Sequence, residues 1–149
     1  MLKIGDKAPE INSIDENGEV ITLEQFKGKK VVLYFYPKDM TPGCTVQSCN
    51  LRDNYQALLD NGFVVLGCSA DSPERHQKFI AKHDLPFPLI SDENKEVINA
   101  YGVWGEKKFM GRTYDGIHRT TFVIDENGII EDIIEKVNTK EHTDQILKT

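Results

Sequence analysis

Two of the three cysteines in this 149-residue chain lie five residues apart, in the stretch Thr-Pro-Gly-Cys-Thr-Val-Gln-Ser-Cys at 41–49. Pro42 suits the first turn of a helix, because it has no backbone N–H to leave unpaired. A helix that begins there places Cys44 in its first turn, where free N–H groups and the positive end of the helix dipole favour an anion. A thiolate is such an anion and is the nucleophilic form of cysteine. The stretch therefore predicts a reactive thiol at Cys44.

The spacing of Cys44 and Cys49 limits what the two thiols can do together. On an ideal helix, residues five apart have Cα atoms about 8 to 9 Å apart, rotated by about 140°. A disulfide requires Cα atoms within about 7 Å. Either the two cysteines never pair, or pairing requires the helix to unwind, and the spacing leaves both alternatives open.

A metal site is not predicted. The two cysteines have no matching second pair of ligands, and the histidines are scattered along the chain at His76, His83, His118 and His142. His76 and His83, seven residues apart, are expected on one face of a helix.

The elements that must position Cys44 alternate between strands and helices. The apolar run at 31–36 predicts a central strand covered on both faces, and the run at 63–68 predicts a second one. A helix with an apolar stripe is predicted after Cys44, and another after the N-cap Ser72. The stripe of the first helix comprises Leu51, Tyr55, Leu58 and Leu59.

Two copies of Ile-Asp-Glu-Asn-Gly, at 14–18 and 124–128, predict tight hairpin turns. The second turn joins the predicted strands 120–124 and 129–134. The segment 105–112 is expected to be a loop, which either borders the pocket or a partner surface together with Trp104 or is an ordinary surface loop. A short helix anchored by Ile146 and Leu147 is expected in the tail. The pattern predicts an α/β fold with a mixed central sheet flanked by helices and an N-terminal β-hairpin extension.

Length and composition favour one domain over residues 1–149, with a core that needs no disulfides. The net charge of −6 disfavours nucleic acid and anionic membranes as partners. Neither a secretory leader nor a transmembrane segment is predicted, and three cysteines do not suggest a disulfide framework. These features predict a cytoplasmic protein.

The segment Pro-Lys-Asp-Met-Thr-Pro-Gly-Cys at 37–44, of the form P-x3-T-x2-C, follows the first predicted strand. It resembles the active-site signature of the peroxiredoxins. YFYPKDMTPGCTVQSCNLRD, YGVWGEKKFMG and HRTTFVID resemble the Q-type subgroup, also called bacterioferritin comigratory proteins, over nearly the whole chain. This resemblance implies a thioredoxin-like fold and reduction of hydrogen peroxide and organic hydroperoxides by cysteine, without a metal or organic cofactor.

The resemblance also implies roles for individual residues. Cys44 resembles the thiol that attacks the peroxide. Thr41 resembles the residue whose hydroxyl contacts that thiol. Arg119 resembles the arginine before the last hairpin, and Pro37 the proline that shields the site. Cys49 resembles the resolving thiol, which forms an intramolecular disulfide with Cys44.

Further expectations follow from the same resemblance. Thioredoxin or a similar dithiol protein is expected to reduce the disulfide, and a monomer is expected. Gln47 stands where the family frequently has glutamate, so a proton-transfer role for this side chain is in doubt. Independently of the resemblance, the position of Cys68 at the end of the second predicted strand predicts that it packs in the core, and it is the reserve candidate for the resolving thiol.

Two other classes of function use the same residues differently. A cysteine hydrolase or acyl transferase would use Cys44 with His118 as its base. Neighbouring side chains on a strand point to opposite faces, so only one of His118 and Arg119 can address Cys44, and the arginine fits the signature. A noncatalytic thioredoxin-like binding module would have no need of Thr41, Cys44 and Arg119 together.

Overall fold

The structure is a computed structural model that describes residues 1–148. The strands are β1 (Asn12–Ile14), β2 (Val20–Thr22), β3 (Lys30–Phe35), β4 (Phe63–Ser69), β5 (Leu89–Ser91), β6 (Trp104–Phe109), β7 (Arg112–Ile117), β8 (Thr120–Ile124) and β9 (Ile130–Ile134). The helices are α1 (Pro42–Asp53), α2 (Tyr55–Asp60), α3 (Pro73–His83), α4 (Glu96–Ala100) and α5 (His142–Leu147), with a 3₁₀ turn at Leu23–Phe26. No helix within the described range is both long and apolar enough to cross a bilayer.

The central sheet has the strand order β5-β4-β3-β8-β9. Strand β3 is parallel to β4 and β4 is parallel to β5, whereas β8 is antiparallel to both β3 and β9. The predicted mixed sheet is therefore confirmed. Helix α1 follows β3 directly, which brings its first turn to the C-terminal edge of the central strand.

Strand β3 is buried on both faces, as its unbroken apolar run predicts. Alternate side chains point to opposite faces of a strand. Leu33 and Phe35 accordingly pack in one apolar cluster, and Val32 and Tyr34 pack in the other. Because β3 is fixed from both sides, the start of α1 rests on a rigid support.

The two Ile-Asp-Glu-Asn-Gly segments form the predicted turns. In both, an aspartate accepts backbone N–H bonds across the turn: Asp15 from Asn17 and Glu19, and Asp125 from Asn127 and Ile129. The glycine that follows has a positive φ in each copy, 73° at Gly18 and 81° at Gly128. The N-terminal hairpin β1–β2 and the final hairpin β8–β9 are both confirmed.

The long helical stripe predicted after Cys44 is only partly correct. The helix begins at Pro42 as predicted, but it is interrupted at Asn54, whose side-chain amide donates to the Asn50 carbonyl. Leu51 and Leu58 are buried, whereas Leu59 is 41% exposed. The interruption changes the phase between α1 and α2, so a single helical periodicity does not describe both.

The segment 105–112, predicted to be a loop, belongs instead to the hairpin β6–β7. Its turn contains Met110 and Gly111, both with positive φ, at 50° and 78°. A two-residue turn with positive φ at both positions is usually Asn-Gly or Asp-Gly. Methionine in the first position does not give that signal, and the hairpin was therefore missed.

The tail forms the predicted short helix, α5, which packs on α1. Ile146 is buried as predicted, but Leu147 is 37% exposed and does not serve as an anchor. The main polar link is Asn50 of α1, whose side chain accepts from the Thr143 backbone N–H and donates to the Lys140 carbonyl. Helix α5 thus braces the half of α1 that contains Cys49.

Candidate active site

Cys44 lies in the first turn of α1, where the sequence places it. Thr41 is the N-cap residue, with extended dihedral angles of φ −86° and ψ 151°, and its side chain caps no backbone N–H. The N-terminal amides of the helix are therefore not occupied by a side-chain oxygen of Thr41. They can favour negative charge on the Cys44 sulfur or on a bound oxygen.

Arg119 contacts the thiol directly. Its Nη2 donates to Cys44 Sγ at 3.3 Å, and its Nη1 donates to Gln47 Oε1 at 2.6 Å. A guanidinium is always charged in proteins and is planar, so two bonds from one edge fix its orientation. The structure therefore brings Cys44 and Arg119, 75 residues apart in sequence, into contact.

Gln47 has a positioning contact that sequence reasoning missed. It lies one turn after Cys44 and is fully buried. Its Oε1 holds Arg119, while its Nε2 has no hydrogen-bond partner. Because an amide is neutral, it orients the guanidinium without neutralising its charge, as a carboxylate would. The i, i+3 spacing from Cys44 is the sequence signal that could have indicated this contact.

The Thr41 hydroxyl donates to the Lys38 carbonyl at 2.8 Å. The resemblance predicts a contact between this hydroxyl and Cys44 Sγ. In the structure the hydroxyl donates instead to the loop that precedes α1. Its proton is engaged, but its oxygen lone pairs can still accept. Thr41 is consequently suited to accept an O–H from a ligand beside the sulfur.

The sulfur is covered in this structure: Cys44 has 0% of its surface exposed. Reactive cysteines usually lie in partly exposed surroundings. A cleft of about 570 Å³ is lined by Arg119 together with Lys107, His118 and Thr120, but not by Cys44. A small oxidant must therefore displace the guanidinium or a neighbouring group to reach Cys44.

A second cation, Lys107 on β6, lies near the site and was not foreseen from the sequence. Burial and the charge of Arg119 lower the pKa of Lys107, while Cys44 acts in the opposite direction. Its ammonium donates to the Ile117 carbonyl at 2.9 Å. Two positive groups therefore act on the Cys44 sulfur, one in contact and one at longer range.

The other two cysteines differ sharply in environment. Cys49 is half-buried within the intact helix α1, and no disulfide joins it to Cys44 among the described residues. Cys68 on β4 is fully buried, as predicted for a core residue. Desolvation, together with Asp92, raises the pKa of Cys68 well above its ordinary value. Cys68 therefore remains an unreactive thiol in this conformation.

His118 does not pair with Cys44. It is exposed, and its Nε2 lies close enough to Gly105 that a Cβ added there would be 3.3 Å away. The group that donates a hydrogen bond to the Cys44 sulfur is the guanidinium of Arg119, not an imidazole. This arrangement does not support a cysteine–histidine nucleophile pair.

The chain belongs to the AhpC/TSA family, whose sequence pattern matches residues 4–133. It is 51% identical to peroxiredoxin Bcp of Escherichia coli over 146 residues, which cover 98% of this chain and 94% of that protein. It is 44% identical to peroxiredoxin Bcp of Bacillus subtilis, over 99% and 94% of the two chains.

Among solved structures, a cysteine-to-serine mutant of PrxQ from Xylella fastidiosa superposes with a TM-score of 0.92 at 30% identity, over 99% of this chain and 94% of that one. Bacterioferritin comigratory protein from Xanthomonas campestris gives 0.86 at 33% identity, over 93% and 88%. The predicted thioredoxin-like fold and the Q-type subgroup of the peroxiredoxins are thereby confirmed. The chain is a thiol-dependent peroxidase that uses a peroxide substrate and a thiol reductant.

Gly43 permits the close approach of Arg119, which gives a testable prediction. A Cβ at this position would lie 3.2 Å from Arg119 Nη2, closer than an ordinary contact. We expect Gly43→Ala to shift the guanidinium by a few tenths of an ångström and to slow peroxide reduction about 3- to 10-fold, since misplacement by 1 Å can cost about 100-fold. Stopped-flow kinetics with hydrogen peroxide would measure the loss.

Thermal unfolding of Gly43→Ala supplies the control. Alanine is favoured over glycine within a helix by about 0.5 to 1 kcal/mol, so the variant should be at least as stable as the parent chain. A slower and equally stable variant is the expected combination. An unchanged rate would show that the approach of Arg119 to this backbone is unimportant.

Proposed function

We propose that this chain, as a single domain over residues 1–149, reduces hydrogen peroxide and organic hydroperoxides through attack by Cys44. The observation that carries the proposal is the contact between Cys44 Sγ and Arg119 Nη2 at the N-terminus of α1. No other thiol of the described chain combines a helix N-terminus with a guanidinium. The Xanthomonas relative was studied for alkyl peroxide reduction, which supports an organic hydroperoxide as substrate here.

In the first step the Cys44 thiolate attacks one peroxide oxygen. A sulfur–oxygen bond forms, the oxygen–oxygen bond breaks, and the second oxygen leaves as hydroxide or alkoxide, which takes a proton from water. Arg119 and the first-turn amides of α1 stabilise the negative charge as it passes from sulfur to oxygen. Thr41 accepts the O–H of the peroxide and orients it. The product is Cys44 sulfenic acid.

In the second step the Cys49 thiol condenses with the sulfenic acid, giving a disulfide and one water. The two cysteines occupy one intact helix, so α1 must unwind between them. The middle of its buried face supports such an opening, because Gln47 and Ser48 contribute little apolar surface, whereas Leu51 and the contacts with α5 hold the second half of the helix. Segments with few buried apolar contacts open at low free-energy cost.

Thioredoxin or a similar dithiol protein then reduces the disulfide and returns both thiols. We propose that the enzyme acts as a monomer, because attacking and resolving thiols lie in one chain. A chain with three cysteines, two of them assigned here to a catalytic cycle, has no structural disulfide framework, which suits a reducing compartment such as the cytoplasm.

Cys49→Ser tests the resolving step. With one equivalent of hydrogen peroxide, the parent chain should lose two of its three thiols, because Cys44 and Cys49 form the disulfide. Cys49→Ser should lose one and accumulate a sulfenic acid that dimedone traps. Amide exchange should show lost protection within residues 44–50 of the oxidised parent chain and unchanged protection in the oxidised variant.

Cys68→Ser is the matched control, because it removes a buried thiol and should leave both readouts as in the parent chain. If Cys49→Ser still lost two thiols, Cys68 of the same or of a second molecule would be the resolving partner. Unchanged protection around α1 after complete oxidation of the parent chain would contradict the intramolecular route.

A further inference from the structure

A buried polar cluster that touches no reacting atom connects the loop before α1 to α3. Asp39 and His76 are 1% and 0% exposed, respectively. His76 Nδ1 lies 2.6 Å from one carboxylate oxygen of Asp39, and the Tyr36 hydroxyl donates to the other oxygen at 2.6 Å. Burial raises the pKa of Tyr36 well above its ordinary value, so this hydroxyl stays a donor.

The backbone of Asp39 is held as firmly as its side chain. Its N–H donates to Asp71 Oδ2 at 2.8 Å, and its carbonyl accepts from Arg75 Nη2 at 3.2 Å. Asp71 is itself fixed by Ser69 and by the ion pair with Arg75. Each polar group of Asp39 therefore has a partner on α3, in the loop before α3, or at Tyr36, which directly follows β3.

Both ring nitrogens of His76 are engaged. Nε2 lies 3.0 Å from the Ile90 carbonyl, which can only accept, so Nε2 carries a hydrogen. His76 Nδ1 and Asp39 Oδ2, which lie 2.6 Å apart, must then share one further proton. The imidazole consequently bridges β5 and the loop before α1 in one orientation.

The same cluster does not offer a vacant metal site. The nearest ligand atoms of Asp39, Asp71 and His76 lie within 4.8 Å of one another. However, each of those oxygens and nitrogens already takes part in a hydrogen bond with the protein. A cation would have to replace these bonds in a site closed to solvent.

The loop that Asp39 holds leads directly into the active site. The next residue, Met40, has φ 68°, a left-handed conformation that is strained for a bulky side chain. Such strain persists where the surrounding structure fixes the chain on both sides. Thr41 and the first residue of α1 follow immediately, and Cys44 comes two residues later.

We propose that Asp39 and His76 are positioning residues for the peroxide reaction, holding the 37–41 loop so that Thr41 and Cys44 face the same oxygen–oxygen bond. The inference rests on the proposed function of Cys44. The pair need not exist for stability, because replacing both partners of a buried hydrogen bond with apolar groups of similar shape can be nearly neutral or stabilising. Orientation of the reacting groups is the property that such a replacement would lose.

The test compares two reactions of the same sulfur. Attack on hydrogen peroxide needs Thr41 and Arg119 aligned with the substrate, whereas alkylation by iodoacetamide needs only a thiolate that the reagent can reach. We expect His76→Leu and Asp39→Asn to lower the peroxide rate, normalised to thiolate, by about 10-fold or more, with alkylation within about 2-fold of the parent chain. Thiolate content is read from its ultraviolet absorbance over a pH titration.

His83→Leu is the matched control, because it makes the same replacement on the same helix outside the cluster. Tyr36→Phe/Asp39→Ala/His76→Leu removes the polar groups together, so that no partner of the pair is left buried and unpaired. We expect it to unfold near the temperature of the parent chain and still to react slowly with peroxide. Asp39→Asn, which keeps the shape of the side chain, decides the matter if the leucine variants do not fold.

Equal peroxide rates for His76→Leu, Asp39→Asn and His83→Leu would overturn the proposal. So would equal losses in the peroxide and alkylation reactions, because they would show a change in thiol access or stability alone. Cys44→Ser is measured in the same series. If that variant consumed peroxide like the parent chain, the proposed function of Cys44 would fail, independently of any result for Asp39 and His76.

Discussion

Cys44→Ser should consume hydrogen peroxide no faster than the dithiol reductant alone, a loss on the order of 10⁶-fold or more, since enzymatic accelerations typically begin at that size. A serine hydroxyl at this position is protonated at neutral pH and has no base beside it, because the group in contact with the sulfur is the cation Arg119. The side chains are nearly isosteric, so the fold should be retained. The measurement is peroxide consumption with a saturating dithiol reductant.

The controls for this prediction are the other two cysteines. Cys68→Ser should retain the parent rate of thiol oxidation. Cys49→Ser should retain the first oxidation and lose turnover that depends on the disulfide. A Cys44→Ser variant with substantial dithiol-dependent activity would mean that another thiol attacks the peroxide.

Arg119→Ala is expected to show the second-largest effect, a loss of about 100- to 1,000-fold in the peroxide rate after correction for thiolate content. Ionisation cannot account for a change of this size. A cysteine of ordinary pKa is a few per cent thiolate at pH 7, so complete ionisation gains at most about 30-fold, or roughly 2 kcal/mol. Removing one donor that stabilises charge in a transition state typically costs about 100- to 1,000-fold.

The experiment is a pH series of single-turnover oxidation rates, each divided by the measured thiolate fraction. Arg119→Lys is the matched control, because it keeps the charge but replaces the planar guanidinium, which donates from one edge to Cys44 and Gln47, with a compact ammonium. It should fall between Arg119→Ala and the parent chain. Thr41→Val, which is nearly isosteric, should also lose normalised rate because no hydroxyl then orients the peroxide. Normalised rates equal to that of the parent chain would contradict a role in the transition state.

Most of the secondary structure that supports the site could be predicted from local pattern. The central strand β3 has an unbroken apolar run. In each of the two Asp-Glu-Asn-Gly turns, the aspartate accepts backbone N–H bonds and the glycine permits a positive φ. The pattern failed where local chemistry was atypical. Met110 occupies a turn position with positive φ, so the hairpin β6–β7 was not foreseen. The helix is interrupted at Asn54, whose φ of −112° and ψ of 14° are not helical, and the outward position of Leu59 was not foreseen either.

The site divides in the same way. The signature residues Thr41, Cys44 and Arg119 could be named from the sequence, because their types and order resemble those of a known family. The engagement of the Thr41 hydroxyl with Lys38 and the complete burial of Cys44 could not. Hydrogen-bond direction and exposure depend on atoms brought in from other elements, and no spacing within 37–44 encodes them.

The sequence by itself determined that a thiol begins a helix after a buried strand and that a second thiol follows at a distance no intact helix can bridge. Both are consequences of helix geometry and of residues close together in the chain. The tertiary structure alone decided that Arg119 rests between Cys44 and Gln47, and that Asp39 is held by His76 across 37 residues. These contacts arise when β3, α3 and the β7–β8 connection meet at one edge of the sheet, because packing of the whole core sets their relative positions.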